Sequence, residues 1–165
     1  MLFFEVVGLL QAEMSKTQDR KITFANSEPV IINLVMDWFN KALNINFSDW
    51  RWYVKLNQKP LNEDLKSQID SELEEYWITE SKISYEKMNK TVVSYIRQTT
   101  NNIAANNGTL IIEYNSKIIT TIIQNMLNVM QEKITNCTEE QIIYFMRGII
   151  AGEGCIEINE KYKKI

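Results

Sequence analysis

An α+β fold, with helices packed against an antiparallel sheet, is predicted by three features of this 165-residue sequence. Apolar residues recur at helical spacing over 2–13, from Ser27 to about Leu43, and over 116–134. Short runs such as "DWRWYVKLNQ" alternate apolar and polar with a period of two. The third feature is a repeat: "FEVVGLLQAEMSK" (4–16) has a counterpart in "FMRGIIAGEGCIEI" (145–158), with Gly8 matching Gly148, Ala12 matching Gly152 and Glu13 matching Glu153 at a constant offset of 140. A chain of this length is one domain by size. The repeat divides it into a complete unit, 1–137, and the first helix and strand of a second, 138–165.

Residues 2–13 are apolar around most of the helical circumference, which predicts burial on more than one side. The polar, basic segment "SKTQDRKITFAN" follows, and its Lys21-Ile22-Thr23-Phe24 alternation suits a hairpin of two short strands. Ser27 reads as an N-cap, with Pro29 tolerated in the first turn, for an amphipathic helix ending near Leu43. In the strand after it, Trp50, Trp52, Val54 and Leu56 point one way, and Arg51, Tyr53, Lys55 and Asn57 the other. The acidic stretch from Leu61 to about Trp77 reads as a solvated surface helix. "TVVSYIRQT" and "GTLIIEY" read as strands on either side of the turn-like "TTNNIAANNGT", and 116–134 as a helix. "TEEQ" at 138–141 is a capping box, starting a helix that runs to about Ala151, after which "CIEINEK" alternates as a nascent strand.

Composition narrows the function classes. With no histidine, and with Cys137 and Cys155 outside any CxxC spacing, neither a zinc site nor a disulfide framework is expected. "MLFFEVVGLL" lacks a positive n-region, contains Glu5 and runs into a polar segment without a cleavage site, so it does not read as a signal peptide. No run reaches the ~18 apolar residues of a membrane span, and an intracellular, cytoplasmic location is the expectation. Net charge is −3, which taken alone speaks against nucleic acid. Of the 21 acids and 18 bases, however, seven acids and one base fall within 61–80, leaving 14 acids against 17 bases elsewhere and room for a local basic surface.

Glycine inside a helix costs roughly 0.5–1 kcal/mol relative to alanine, so Gly8 and Gly148 need a reason, and close approach of two helix backbones supplies one. If the helices pack through these glycines, Glu13 and Glu153 emerge side by side at the same end. Two adjoining carboxylates repel unless a cation joins them, and oxygen ligands without His or Cys favour a hard ion such as magnesium or calcium. For either motif alone, an ordinary buried helix with a solvated terminal glutamate is the plainer reading; two copies at this spacing weigh against it.

"VVGLLQAEM" and "MRGIIAGEG" resemble the two signature helices of LAGLIDADG homing endonucleases, and the intervening order of elements resembles that family's αββαββα repeat with its antiparallel sheet saddle. The resemblance covers essentially the whole chain. It implies a site-specific, metal-dependent DNA endonuclease of the kind encoded in introns, a hydrolase holding Mg2+ between the acids that end the motif helices, with the strands lying in the major groove of double-stranded DNA. Residue by residue, Glu13 and Glu153 match the metal-binding, catalytic acids, and Gly8 and Gly148 the helix-packing glycines. The more usual aspartate is glutamate at both acid positions. Lys117 is similar in place to the basic residue held near the scissile phosphate. The polar strand faces become candidates for DNA binding through Arg51, Tyr53, Lys55 and Asn57, joined by Ser15, Lys16, Gln18, Arg20, Lys21 and Thr23. The plainer reading is a solvated outer face, and Trp50 and Trp52 are expected in the core.

Against the family pattern, a second set of strands is not supplied. The expectation is therefore an enzyme incomplete or split as it stands, completed by a second copy or a missing C-terminal half. The alternative is a non-cleaving DNA-binding protein, whether a regulator, a maturase-like protein or a degenerate relic. The absence of histidine and of a terminal His-Asn excludes an intein.

Overall fold

Side-chain alternation decides the sheet, because each strand buries every second residue. In a computed structural model that describes residues 1–15, 20–55, 63–83 and 107–153, Lys21–Asn26 (β1) buries Ile22, Phe24 and Asn26, and Arg51–Lys55 (β2) buries Trp52 and Val54. Both pair antiparallel with Thr109–Asn115 (β3), giving the order β1-β3-β2. The remaining described elements are five α-helices, Leu2–Glu13 (α1), Pro29–Leu43 (α2), Glu63–Glu80 (α3), Lys117–Lys133 (α4) and Glu139–Glu153 (α5), and two single 3-10 turns, Phe47–Asp49 and Ile134–Asn136. The fold is α+β.

The inner face of the sheet carries Ile22, Phe24, Trp52, Val54, Leu110 and Ile112, each fully buried, and the helices supply the other half of the core. An aromatic chain ties the layers together. Phe3 of α1 meets Trp38 of α2 at a ring separation of 6.2 Å, Trp38 meets Phe39 at 5.1 Å, Phe39 meets Trp50 at 5.0 Å, and Trp50 meets Tyr114 of β3 at 5.5 Å. Such tilted and edge-on pairs add about 0.5–1.5 kcal/mol each beyond the area they bury.

Several local expectations are refined. The first arm of the hairpin at 15–24 reduces, among the described residues, to a bridge between Met14 and Phe24, with the Ser15 N–H donating to the Thr23 carbonyl at 3.1 Å. The N-cap of α2 is Glu28 rather than Ser27, and the chain is turned into the helix by Asn26, whose Oδ1 accepts from the Glu28 N–H at 2.9 Å. An asparagine already pointing inward at the end of β1 is thus a better acceptor than the more exposed serine beside it. The acidic helix α3 is solvated on one side only. Leu73 and Trp77 are buried, and the Trp77 indole donates to the Asn107 carbonyl at 2.8 Å. Its C-terminal end is clamped to α2, since Asn33 donates to the Glu80 carbonyl at 3.1 Å and Lys82 pairs with Asp37 at 2.7 Å. The capping box that starts α5 is reciprocal: the Thr138 N–H donates to Gln141 Oε1 at 2.9 Å, and the Gln141 N–H to Thr138 Oγ1 at 3.3 Å. The strands expected at 91–99 and after Gly154, together with Lys16, Gln18, Leu56, Asn57 and Cys155, lie outside the described residues.

The pairing of α1 with α5 is the closest contact between helices. A Cβ added at Gly8 would collide with the Phe145 carbonyl and lie 3.1 Å from Gly148 Cα. One added at Gly148 would collide with the Glu5 carbonyl, and one at Gly152 would sit 2.7 Å from Ala12 Cβ. Gly8 against Gly148 and Ala12 against Gly152 keep the same order along both helices, so the two run parallel. Burying several hundred Å² here contributes on the order of 10 kcal/mol before entropy, at ~25 cal/mol per Å². In an exposed helix, glycine to alanine stabilises by about 1 kcal/mol. Here Gly8→Ala and Gly148→Ala should each destabilise by about 1–3 kcal/mol, the usual cost of overpacking. A urea midpoint that stays put or rises in either variant would show that the backbones do not touch.

Candidate active site

Parallel packing determines where the two motif glutamates emerge. Glu13 ends α1 and Glu153 ends α5, and both line one open cleft of about 540 Å³. Asn26, Ser27 and Glu28, where β1 turns into α2, form another part of its wall, and Thr109 at the start of β3 a third. Glu13 is half-buried, and its carboxyl is held above the usual carboxylate range, first by burial and second by the charge of Glu153. The two acids therefore interact, with Glu153 on the exposed side.

Chemically, the pair offers hard oxygen donors and no nitrogen or sulfur. Among the described residues, no group of three or more His, Cys, Asp or Glu side chains converges in a way that could enclose a metal ion. Two carboxylates suit magnesium nonetheless, because that ion keeps several waters and completes its shell with substrate phosphates rather than with an all-protein cage. Glu13 and Glu153 are the side chains that would hold it.

Lys117 is not among the residues lining this cleft. It opens α4 as an exposed residue beyond the far end of β3. Thr109 is in the cleft, and a strand rises about 3.3 Å per residue, so the chain reaches Asn115 about 20 Å further on. The basic residue expected beside the acids is thus displaced along the strand, because β3 leads away from the cleft before α4 begins.

The outer face of the sheet presents Lys21, Thr23 and Ala25 from β1, Thr109, Ile111, Glu113 and Asn115 from β3, and Arg51, Tyr53 and Lys55 from β2. Thr23, Glu113 and Arg51 stand directly opposite one another in one row, and Ala25, Ile111 and Tyr53 in the next. Arg51 is exposed, while Lys21, Thr23, Tyr53 and Lys55 are half-buried. Ser15 is half-buried on the bridge to Thr23, and Arg20 is exposed immediately before β1. Of the ten candidate DNA-contacting residues, Lys16, Gln18 and Asn57 are outside the described residues, and the other seven fall on or beside this one sheet.

Sequence reasoning missed three residues. Asn26 is buried in the cleft wall, and its parity with Ile22 and Phe24 was a signal for an inward polar side chain. Glu28 lines the same cleft and left no such signal. Glu113 stands among the cations of the outer face and pairs with Lys21 through its Oε1. The Leu-Ile-Ile run before it hides the alternation from Thr109 that would have placed it there. The Tyr53 hydroxyl is held above its ordinary value by burial, then by Glu113, with Lys21 acting in the opposite direction.

Because the Glu13 carboxyl is raised on folding, the folded state binds more protons than the unfolded chain just above pH 4.5, and stability falls as pH rises through that window. Glu13→Gln removes this cost. Thermal melts in chelator should show the variant more stable than the parent at pH 7, with the difference closing as pH drops below 4.5. A variant less stable than the parent at pH 7 would mean that the carboxylate is held by favourable contacts instead. No protein-family model, curated protein or solved structure matches the chain.

Proposed function

We propose that this chain is a LAGLIDADG-type, magnesium-dependent, site-specific DNA endonuclease, or one half of such an enzyme completed by a second copy or a further half. The observation that carries the reading is the meeting of Glu13 and Glu153 in one cleft at the end of two parallel, glycine-packed helices. The outer face of the sheet supports it with Lys21, Arg51 and Lys55 on a twisted antiparallel ribbon of the kind that enters a major groove. Among the described residues the element order departs from the αββαββα pattern in two respects: one strand, β1, precedes α2, and the acidic helix α3 lies between β2 and β3.

In this reading Glu13 and Glu153 would hold the cation, and the ribbon would hold the duplex in register. The ion, when bound, supplies Lewis-acid polarisation of a phosphoryl oxygen. Glu13 is half-buried and Glu153 exposed, so a phosphate would approach the pair from the Glu153 side. The position of Lys117 favours the second reading, a DNA-binding protein without cleavage, since among the described residues no lysine or arginine lines the cleft with the acids.

Mobility shift on duplexes flanking the encoding gene, with calcium and then with magnesium, separates the two. Glu13→Gln should abolish magnesium-supported nicking yet leave calcium-supported binding within a few-fold of the parent. Retention of full nicking by the variant would remove the acid pair from the chemistry. Replacing Arg51 and Lys55 together with alanine should lower the slope of log K against log salt by about two, at ~0.9 per phosphate contact. An unchanged slope would put those two side chains off the DNA.

A further inference from the structure

A carboxylate in the middle of a cationic face is out of place if that face only collects phosphates. Glu113 is on the central strand, directly opposite Thr23 on one side and Arg51 on the other, and its side chain is 15% exposed. It pairs diagonally with Lys21, whose own directly opposite partner is Asn115. Lys21 is therefore partly neutralised at the place where a phosphate-binding surface would keep it available. A cross-strand brace alone explains the pair but not its position at the centre of the face, since the strand ends offer sites where a carboxylate would not face a polyanion.

Resting on the DNA-binding reading above, we propose that Glu113 is a specificity-determining residue that accepts from the exocyclic amino group of a base in the major groove and repels phosphate from the centre of the ribbon. The major-groove edges offer a carboxylate only two amino donors, cytosine N4 and adenine N6. Lys21 pairs with the carboxylate through Oε1 from the neighbouring row, and Arg51 stands directly opposite Glu113 on β2, so acid and bases adjoin on one face of the sheet. An outer ribbon of lysine and arginine alone would bind any duplex; an acid at its centre ties binding to an amino-bearing base at one position.

Selection from randomised duplexes, followed by mobility shift, tests the assignment with three proteins. The parent should enrich an amino-bearing base at one position, with a penalty of about 5- to 150-fold for replacing it. Glu113→Gln keeps the shape and loses the charge. It should bind random-sequence duplex more tightly than the parent, with a salt slope steeper by about one as Lys21 is released. The reciprocal exchange Lys21→Glu with Glu113→Lys keeps the ion pair and hence the brace, but should move the preference at that position toward guanine, whose O6 and N7 accept from lysine. An exchange protein with the parent's base preference, or a Glu113→Gln protein with unchanged random-duplex affinity, would overturn the proposal and leave Glu113 a structural brace. Failure of the parent to retain any duplex would instead sink the DNA-binding reading itself, and this inference with it.

Discussion

The contact of two helix backbones at Gly8 and Gly148 is the constraint on which the rest depends. Neither position has room for a Cβ, and each glycine faces a backbone carbonyl of the opposite helix. That approach makes α1 and α5 parallel and in register, and it buries Val6, Val7, Leu9 and Leu10 of α1 on both flanks at once. A helix with apolar residues around most of its circumference needs two neighbours; the sheet and α2 supply one, and α5 the other. The positions of Glu13 and Glu153 follow from this packing and not from any attraction between them.

Their proximity is in fact unfavourable. The charge of Glu153 and partial burial both disfavour ionised Glu13. In the proposed reading a cation between the two carboxylates would offset this repulsion. The geometry is rigid on the Glu13 side, where Met14 bridges to Phe24 and the Ser15 amide bonds to Thr23 immediately after the helix. A carboxylate on such a junction is aimed by the backbone on both sides.

Much of the fold was legible because the burial signals were strong and local. Alternation placed Trp52 and Val54 inward and Arg51, Tyr53 and Lys55 outward, and the Thr138–Gln141 box marked the start of α5. The constant offset between Gly8 and Gly148 anticipated a contact between segments 140 residues apart, which periodicity alone cannot reveal. What escaped depended on tertiary partners. Trp77 anchors α3 through a carbonyl 30 residues away, so an acidic stretch read as wholly solvated has a buried side. Glu113 acquires its significance from strands β1 and β2, neither of them adjacent in the chain. Lys117 was placed by order along the sequence, which gives no measure of how far a strand carries the chain from a cleft.

That distance bears on what the two surfaces can engage together. β1 ends and β3 begins at the cleft, at Asn26 and Thr109, and both run away from it along the outer face. Lys55 stands opposite Thr109, one strand spacing of about 4.8 Å away, whereas Lys21 stands opposite Asn115, some 20 Å from Thr109 along the strand. Among the described residues, the cations of the outer face therefore lie in a line leading away from the cleft. A mononucleotide or other small phosphate ester could meet the acid pair or the distant lysine, but not both. On the proposed reading an extended polyanion would span this line, since phosphates along a duplex, one charge per 1.7 Å of axis, would supply charge continuously over that length. In that proposal the polymer would lie along the sheet, with one backbone position delivered to the acid pair at its end.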